Sequence, residues 1–224
     1  MPIPAGFAAA AAAAGAPLDA ATLKRLRGFL DRLRAENEVQ NLTAILEPGE
    51  METDHLLDSL AIAGAAAAAG FRFEEGGLCV DIGSGGGFPG IPLAVAFPRT
   101  RWVLVESEGR KADWLERALL SLGLDGTEVI RGRGREIRHN REDLAGRCDV
   151  VTARAVGALE KIAREARGLL RPGGFLLCPK GRGLEPGEIA MGEREAKKSR
   201  LVPAGTFPMA VPGRERVLVV YRGA

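Results

Sequence analysis

The stretch that most narrows what this chain can fold into is DIGSGGGFPGIPL, Asp81 to Leu93. An apolar run, LCV, leads into it and a second, IPLAVAF, overlaps its end. A glycine-rich turn between a strand-like and a helix-like segment lets the backbone approach a ligand at a strand end. That arrangement needs a strand covered on both faces and a helix packed behind it, so it speaks for an α/β fold before it speaks for a ligand.

The rest of the chain repeats the alternation. From Leu78 onward the short apolar runs LCVDIG, RWVLVES, TEVIRG, CDVVTAR and GFLLCPKG are separated by helical stretches, GIPLAVAFP, RKADWLERALLSLGL, REIRHNREDLAGR and ALEKIAREARGLL. Strands alternating with helices predict βαβ units, right-handed crossovers and ligands at the carboxyl ends of a parallel sheet. RLVPAGTF and ERVLVVYR have no helix between them, which predicts an antiparallel pair closing one edge. Upstream, Leu23, Leu26, Leu30 and Leu33 recur at helical spacing, with Asp19 or Thr22 as the cap, and METDHLLDSLAIAGAAAAAG reads as a second helix stopping at Gly70. The expected organisation is a disordered or frayed N-terminus over 1–17, a helical extension over 18–70 and the main domain over 71–224.

Composition excludes several classes. A chain of 224 residues with 46% hydrophobic and 27% charged residues can bury a sizeable core. No stretch approaches the ~20 apolar residues of a membrane span. The alanine-rich start lacks the basic residues of a secretion signal. Cys79, Cys148 and Cys178 lie far apart inside apolar runs, and only His55 and His139 could join them, so buried thiols in a reducing, cytoplasmic setting are expected and no metal site. A net charge of +2 leaves any polyanion partner to local basic surfaces. Residues 131–147 and 194–200 supply them, although Glu136, Glu142, Asp143, Glu193 and Glu195 dilute both.

Three ligands compete for the glycine loop. A phosphate-binding P-loop needs a lysine, and none lies between Asp81 and Arg99. Gly85, Gly87 and Gly90 satisfy GxGxxG, but Pro89 occupies a place where an N–H should face a pyrophosphate. The frame Asp81-x-Gly83-x-Gly85-x-Gly87 instead resembles the loop of class I S-adenosylmethionine-dependent methyltransferases. Asp81 suits the ammonium of that cofactor, Gly83, Ser84 and Gly85 suit close backbone contact, and Glu106 at the next strand end suits ribose hydroxyls. ARGLLRPGGFLLCPKG, a helix stopped by Pro172-Gly173-Gly174 and followed by a strand, is similar to another unit of the same fold.

NLTAI, HLLDSL, DIGSGGGFPGIPLAVAFP, ESEGRKADWLERA, TARA and CPKG then occur in one order, from Asn41 to Gly181. Together they resemble the ribosomal RNA small-subunit methyltransferase G family, over nearly the whole chain. The resemblance implies a Rossmann-like, mostly parallel seven-stranded sheet with an antiparallel C-terminal strand and an N-terminal helical extension. It implies methylation of a guanine N7 in 16S ribosomal RNA, free or in the 30S subunit, with S-adenosylmethionine as donor and S-adenosylhomocysteine as product. It places cofactor contacts at Gly83, Phe88, Gly134, Arg135 and Arg154. Guanine N7 has no proton to lose, so no general base is expected, and Arg154 is the positioning residue of choice. Arg110, Lys111 and Lys180 are expected on the RNA backbone. His55 is expected to cap or pack the extension against the loop, and Phe88 to be the exposed ring. A monomer is expected. A methyltransferase for a small molecule or protein, or a ribosome-associated protein that keeps the cofactor without turnover, are the alternatives.

Overall fold

The computed structural model describes residues 6–45, 47–154 and 156–224. Seven strands form one sheet in the order β3-β2-β1-β4-β5-β7-β6. They are β1 (Gly77–Ile82), β2 (Thr100–Glu106), β3 (Thr127–Arg131), β4 (Cys148–Thr152), β5 (Leu170–Lys180), β6 (Leu201–Pro208) and β7 (Val217–Gly223). β1 through β5 pair in parallel, and β7 runs antiparallel to both β5 and β6. The order reverses between β1 and β4, which opens a crevice at their carboxyl ends.

Both faces of the sheet are covered. Cys79, Trp102, Leu104, Phe175 and Leu177 point into one core, and Val80, Val103, Val105, Leu176 and Cys178 into the other. This alternation of buried residues explains why the strands read as unbroken apolar runs. α8 (Gly134–Asn140), α9 (Leu159–Glu165) and α10 (Pro186–Lys198) cover the second face. α6 (Gly90–Ala96) and α7 (Gly109–Leu122) cover the first, joined by the N-terminal helices.

Those helices are α1 (Phe7–Ala13), α2 (Ala20–Asn37) and a run comprising α3 (Pro48–Glu50), a π-helical segment (Met51–Leu57), α4 (Asp58–Leu60) and α5 (Ile62–Ala68). Asp19 caps α2, accepting the Thr22 N–H at 2.7 Å. α2 buries Leu26, Phe29, Leu30 and Leu33 in the same core as the sheet, and Arg25 reaches the Leu122 carbonyl of α7 at 2.7 Å.

Two expectations are corrected. The first is the frayed lead-in. Its residues 1–5 lie outside the described residues, but α1 follows at once and buries Phe7 and Ala11, and Ala14 and Ala16 just after it are buried too. The chain at Gly15 passes so close to Gly64 that a Cβ on either would sit 2.6 Å from backbone of the other strand of chain, and the Gly64 N–H donates to the Ala14 carbonyl. Small residues permit this approach. The second is the helix before Pro172. α9 ends at Glu165, Gly168 turns the chain with φ +78°, and Pro172-Gly173-Gly174 form an irregularity inside β5, between the Cys148–Leu170 and Val150–Phe175 pairs.

Candidate active site

Asp81 stands near the end of β1 and is fully buried. Its Oδ2 accepts the Gly90 N–H at 3.1 Å, while its Oδ1 has no hydrogen-bond partner. Burial pushes its pKa up to about 7, against the pull of the Gly90 N–H and the Arg154 charge. Gly90 allows the contact: a Cβ there would lie 2.4 Å from Leu104 and 2.9 Å from the Asp81 carboxylate.

The loop then crosses to β2. The N–H groups of Gly83 and Ser84 both donate to the Val105 carbonyl, and Gly85 N–H donates to Glu106 Oε2 at 2.9 Å. Glu106 Oε1 accepts the Glu108 N–H at 2.8 Å, so this carboxylate pins the glycine loop against the start of α7. Gly85 has φ +53°, and a Cβ there would find only the Gly83 carbonyl, at 3.8 Å. Trp114 closes the back of the loop, its Nε1–H donating to the Gly86 carbonyl at 3.2 Å.

Phe88 corrects the expectation of an exposed ring, being only 4% accessible. It lies 4.5 Å from the His55 ring in a near-parallel stack and 5.2 Å from Phe29, and the Arg154 guanidinium sits 5.0 Å from its centroid. α2 and the π-helical segment bring two of those three neighbours.

Arg154 follows β4 and is the hub of the site. Its Nη1 donates to the Asp54 carbonyl at 2.9 Å and to Asp58 Oδ2 at 3.1 Å. Its Nη2 lies 3.1 Å from His55 Nδ1. A guanidinium only donates, so His55 must offer a lone pair there and carry its proton on Nε2, which meets Thr43 Oγ1 at 2.7 Å. Burial and the Arg154 charge push the His55 pKa down to about 4. His55 is thus a neutral structural bridge, as its place in HLLDSL suggested.

Beside this hub opens a cleft of about 570 Å³, lined by Ile45, Asp54, His55, Asp58, Arg154, Pro179, Lys180, Gly181, Arg214 and Arg216. Asp54 binds Arg214 through both oxygens, at 2.7 and 2.8 Å, and this pairing holds its carboxyl below the usual range. Asp58 accepts from Arg216 at 2.7 Å. Four cations therefore face two carboxylates and a neutral imidazole, and the cleft has an excess of positive charge.

The structure gathers Asp81, Gly83, Ser84, Gly85, Phe88, Glu106 and Arg154 around one loop. Gly134 is buried where a Cβ would meet Ile82 at 2.8 Å, and the Arg135 N–H donates to Glu165 at 3.2 Å while its side chain faces outward. Lys180 lines the cleft, but its Nζ donates to the Gly157 carbonyl and pairs with Glu188, each at 2.7 Å, so it braces the segment after β4. Arg110 is exposed and Lys111 pairs with Glu108; neither lines the cleft. Asp54, Arg214 and Arg216 were missed. Their signals were faint: Asp54 precedes Asp58 by one helical turn, and RER alternates at strand period before β7.

The donor set fits S-adenosylmethionine. Two carboxylates at adjacent strand ends, one with an unpartnered buried oxygen, suit an ammonium and ribose hydroxyls and oppose a pyrophosphate. The open left-handed turn at Gly85 leaves room for close contact.

The family model described as rRNA small subunit methyltransferase G matches residues 22–211. The chain is 40% identical to the ribosomal RNA small subunit methyltransferase G of Stenotrophomonas maltophilia strain K279a, over 99% of this chain and 98% of that protein. It is 41% identical to the protein of the same name from Sorangium cellulosum, over 81% of this chain and 74% of that one. In fold it is similar to Aeropyrum pernix fibrillarin with natively bound S-adenosyl-L-methionine, with TM-score 0.57, 18% identity, and 74% and 76% of the two chains covered. Methanococcus jannaschii fibrillarin, a pre-rRNA processing protein, matches with TM-score 0.54, 14% identity, and 72% and 74% covered.

Proposed function

The chain belongs to the ribosomal RNA small subunit methyltransferase G family, and on that premise we propose that it methylates N7 of a guanine in 16S ribosomal RNA. The observation that carries this reading is the join between the two halves of the site. Arg154 touches the cofactor loop through Phe88 and the cationic cleft through Asp54, Asp58 and His55. When bound, S-adenosylmethionine supplies an electrophilic methyl, which guanine N7 takes on its lone pair with no proton to remove.

The chain's own residues do the positioning. Asp81 Oδ1 receives the ammonium, Glu106 the ribose, and Gly83, Ser84 and Gly85 the close backbone approach. Arg154 orients the base, with its guanidinium held over the Phe88 ring and hydrogen-bonded to the Asp58 carboxylate. Arg214 and Arg216 supply positive charge for the target nucleotide. Arg110 and Lys111, at the start of α7 and outside the cleft, meet the RNA backbone. His55, neutral and fully engaged, is no general base, which matches a nucleophile that needs none. We place the protein in the cytoplasm as a monomer, with three buried free thiols in accord with a reducing compartment.

Transfer of tritium from labelled S-adenosylmethionine to 30S particles, naked 16S RNA and ribosomal protein tests the reading. Label in one RNA guanine, released as 7-methylguanine, is the expected result; label in protein, or none in RNA, overturns it.

A further inference from the structure

A second cleft, of about 490 Å³, lies at the opposite pole of the sheet from the glycine loop. It is built where β5 and β6 begin and β7 ends, from Arg138, Arg167, Ser199, Arg200 and the backbone around Gly168 and Gly223. A six-residue strand such as β1 separates the two poles by roughly 20 Å. Arg138, Arg167 and Arg200 have no carboxylate side-chain partner among the described residues. In the basic stretch beside them Arg131 pairs with Asp113 and Arg141 with Glu128 and Asp143, so what distinguishes these three is that they line one cleft without such a partner. Arg138 Nε only reaches the adjacent His139 ring. Ala224 also lines the cleft, and three guanidinium groups give it its charge.

Two further features point to an anion. Ser199 is 3% exposed, and its hydroxyl is buried without any hydrogen-bond partner, a donor lacking an acceptor. Arg200 has φ +58°, the one non-glycine residue in the left-handed region among those described. An L-residue is held there at a cost, and the result is an arginine beside Ser199 at the cleft. Unpaired arginines around a hydroxyl donor are the chemistry that takes a phosphodiester.

We propose that this cleft binds a backbone phosphate of the RNA substrate, at a segment remote from the methylated guanine. The identity of the ligand rests on the RNA reading above; the anion site itself rests on the cleft. Its consequence is that a particle is held at both poles of the enzyme, whereas a short oligonucleotide around the target reaches only one.

The test measures affinity for 30S particles against salt for the wild type, Arg167→Glu/Arg200→Glu, and a control with equal charge change on α2, Arg32→Glu/Arg34→Glu. Arg200→Gly is a second variant that deletes one charge while relieving the left-handed backbone, so it folds even where the double reversal does not. S-adenosylmethionine affinity is followed in parallel. The expected result is at least tenfold weaker particle binding for the double variant, with its log–log salt slope reduced by roughly 1.5. Arg200→Gly loses about half that slope, cofactor affinity is unchanged, and the α2 control stays near wild type. Wild-type particle affinity in both cleft variants, or equal weakening in the α2 control, overturns the proposal. So does saturable binding of sodium pyrophosphate at the cleft without any change in particle affinity. A wild type that binds no particle overturns the RNA reading and this proposal together, and that result is distinct from the others.

Discussion

Arg154 Nη2 meets His55 Nδ1 at 3.1 Å across 99 positions of sequence, joining the end of β4 to the π-helical segment of the N-terminal helices. The same guanidinium lies over Phe88, so one side chain couples strand, extension and glycine loop. π-helical turns recur where a side chain must be re-aimed at a site, and this one carries both Asp54 and His55.

Arg154→Ala therefore has two effects. Methyl transfer falls by two orders of magnitude or more in kcat, because the positioning contact acts on the reacting base. Stability falls by about 2–3 kcal/mol, less than for a fully orphaned buried ion because Asp58 keeps Arg216. Arg154→Lys restores part of the stability but little of the transfer, since one ammonium nitrogen does not reproduce the planar fork whose Nη1 reaches Asp54 and Asp58 while Nη2 reaches His55. Urea unfolding and single-turnover transfer measure the two effects separately.

Asp81 gives a pH signature. Its folded pKa is raised to about 7, so the folded protein holds a proton that the unfolded chain releases near 4. Its burial therefore costs stability as pH rises from about 4 to 7. Asp81→Asn removes that cost, and its stability relative to wild type rises through the same window. A bound ammonium favours the carboxylate, so cofactor binding near pH 6.5 releases a proton, and near pH 8.5 it does not. Calorimetry in buffers of different ionisation enthalpy reads the release directly; heats independent of buffer at pH 6.5 disprove the assignment.

The strands and the loop were legible because sheet burial on both faces leaves continuous apolar runs, and because Asp81 and Glu106 end adjacent strands. The lead-in was not, since alanine carries little hydrophobic signal and its burial here depends on a close approach at Gly64. Nor was the orientation of Phe88, whose stacking partners Phe29 and His55 belong to other elements. Arg214 left only a faint signal for the same reason: its carboxylate partner lies 160 positions away. Local pattern reports which face a residue prefers, and long-range pairing decides what it meets there.

The glycines of the loop separate into two kinds. Gly90→Ala drives a Cβ into Leu104 and Asp81, and we expect about 1–3 kcal/mol of destabilisation. Gly85→Ala makes no clash, its methyl meeting the Gly83 carbonyl only at ordinary contact distance, and suffers mainly its left-handed backbone, about 1–2 kcal/mol, yet places a methyl where the cofactor must approach. Cofactor affinity should thus fall at least tenfold in Gly85→Ala at the smaller loss of stability. Thermal melts and equilibrium binding on both variants check the contrast.

All three cysteines are buried, and burial raises every thiol, those of Cys148 and Cys178 to about 12. The native protein at pH 8 should not react with a thiol-specific disulfide reagent on the timescale of minutes, and should release three equivalents in denaturant. Rapid labelling of any thiol in the folded state contradicts this.

Trp114 offers a direct optical reading of the loop. The chain has two tryptophans, and they sit differently. Trp102 is buried on β2, donating to Thr100 Oγ1 at 2.8 Å, away from the loop, while Trp114 donates to the Gly86 carbonyl. Ordering of the loop around a cofactor alters the hydrogen bond to Trp114 and leaves that of Trp102 unchanged. Titration with S-adenosylhomocysteine should change the emission of the wild type and of Trp102→Phe. Trp114→Phe should bind the same ligand by calorimetry with no change in emission. A signal that persists in Trp114→Phe and vanishes in Trp102→Phe would place the ligand somewhere other than the loop from Gly83 to Phe88.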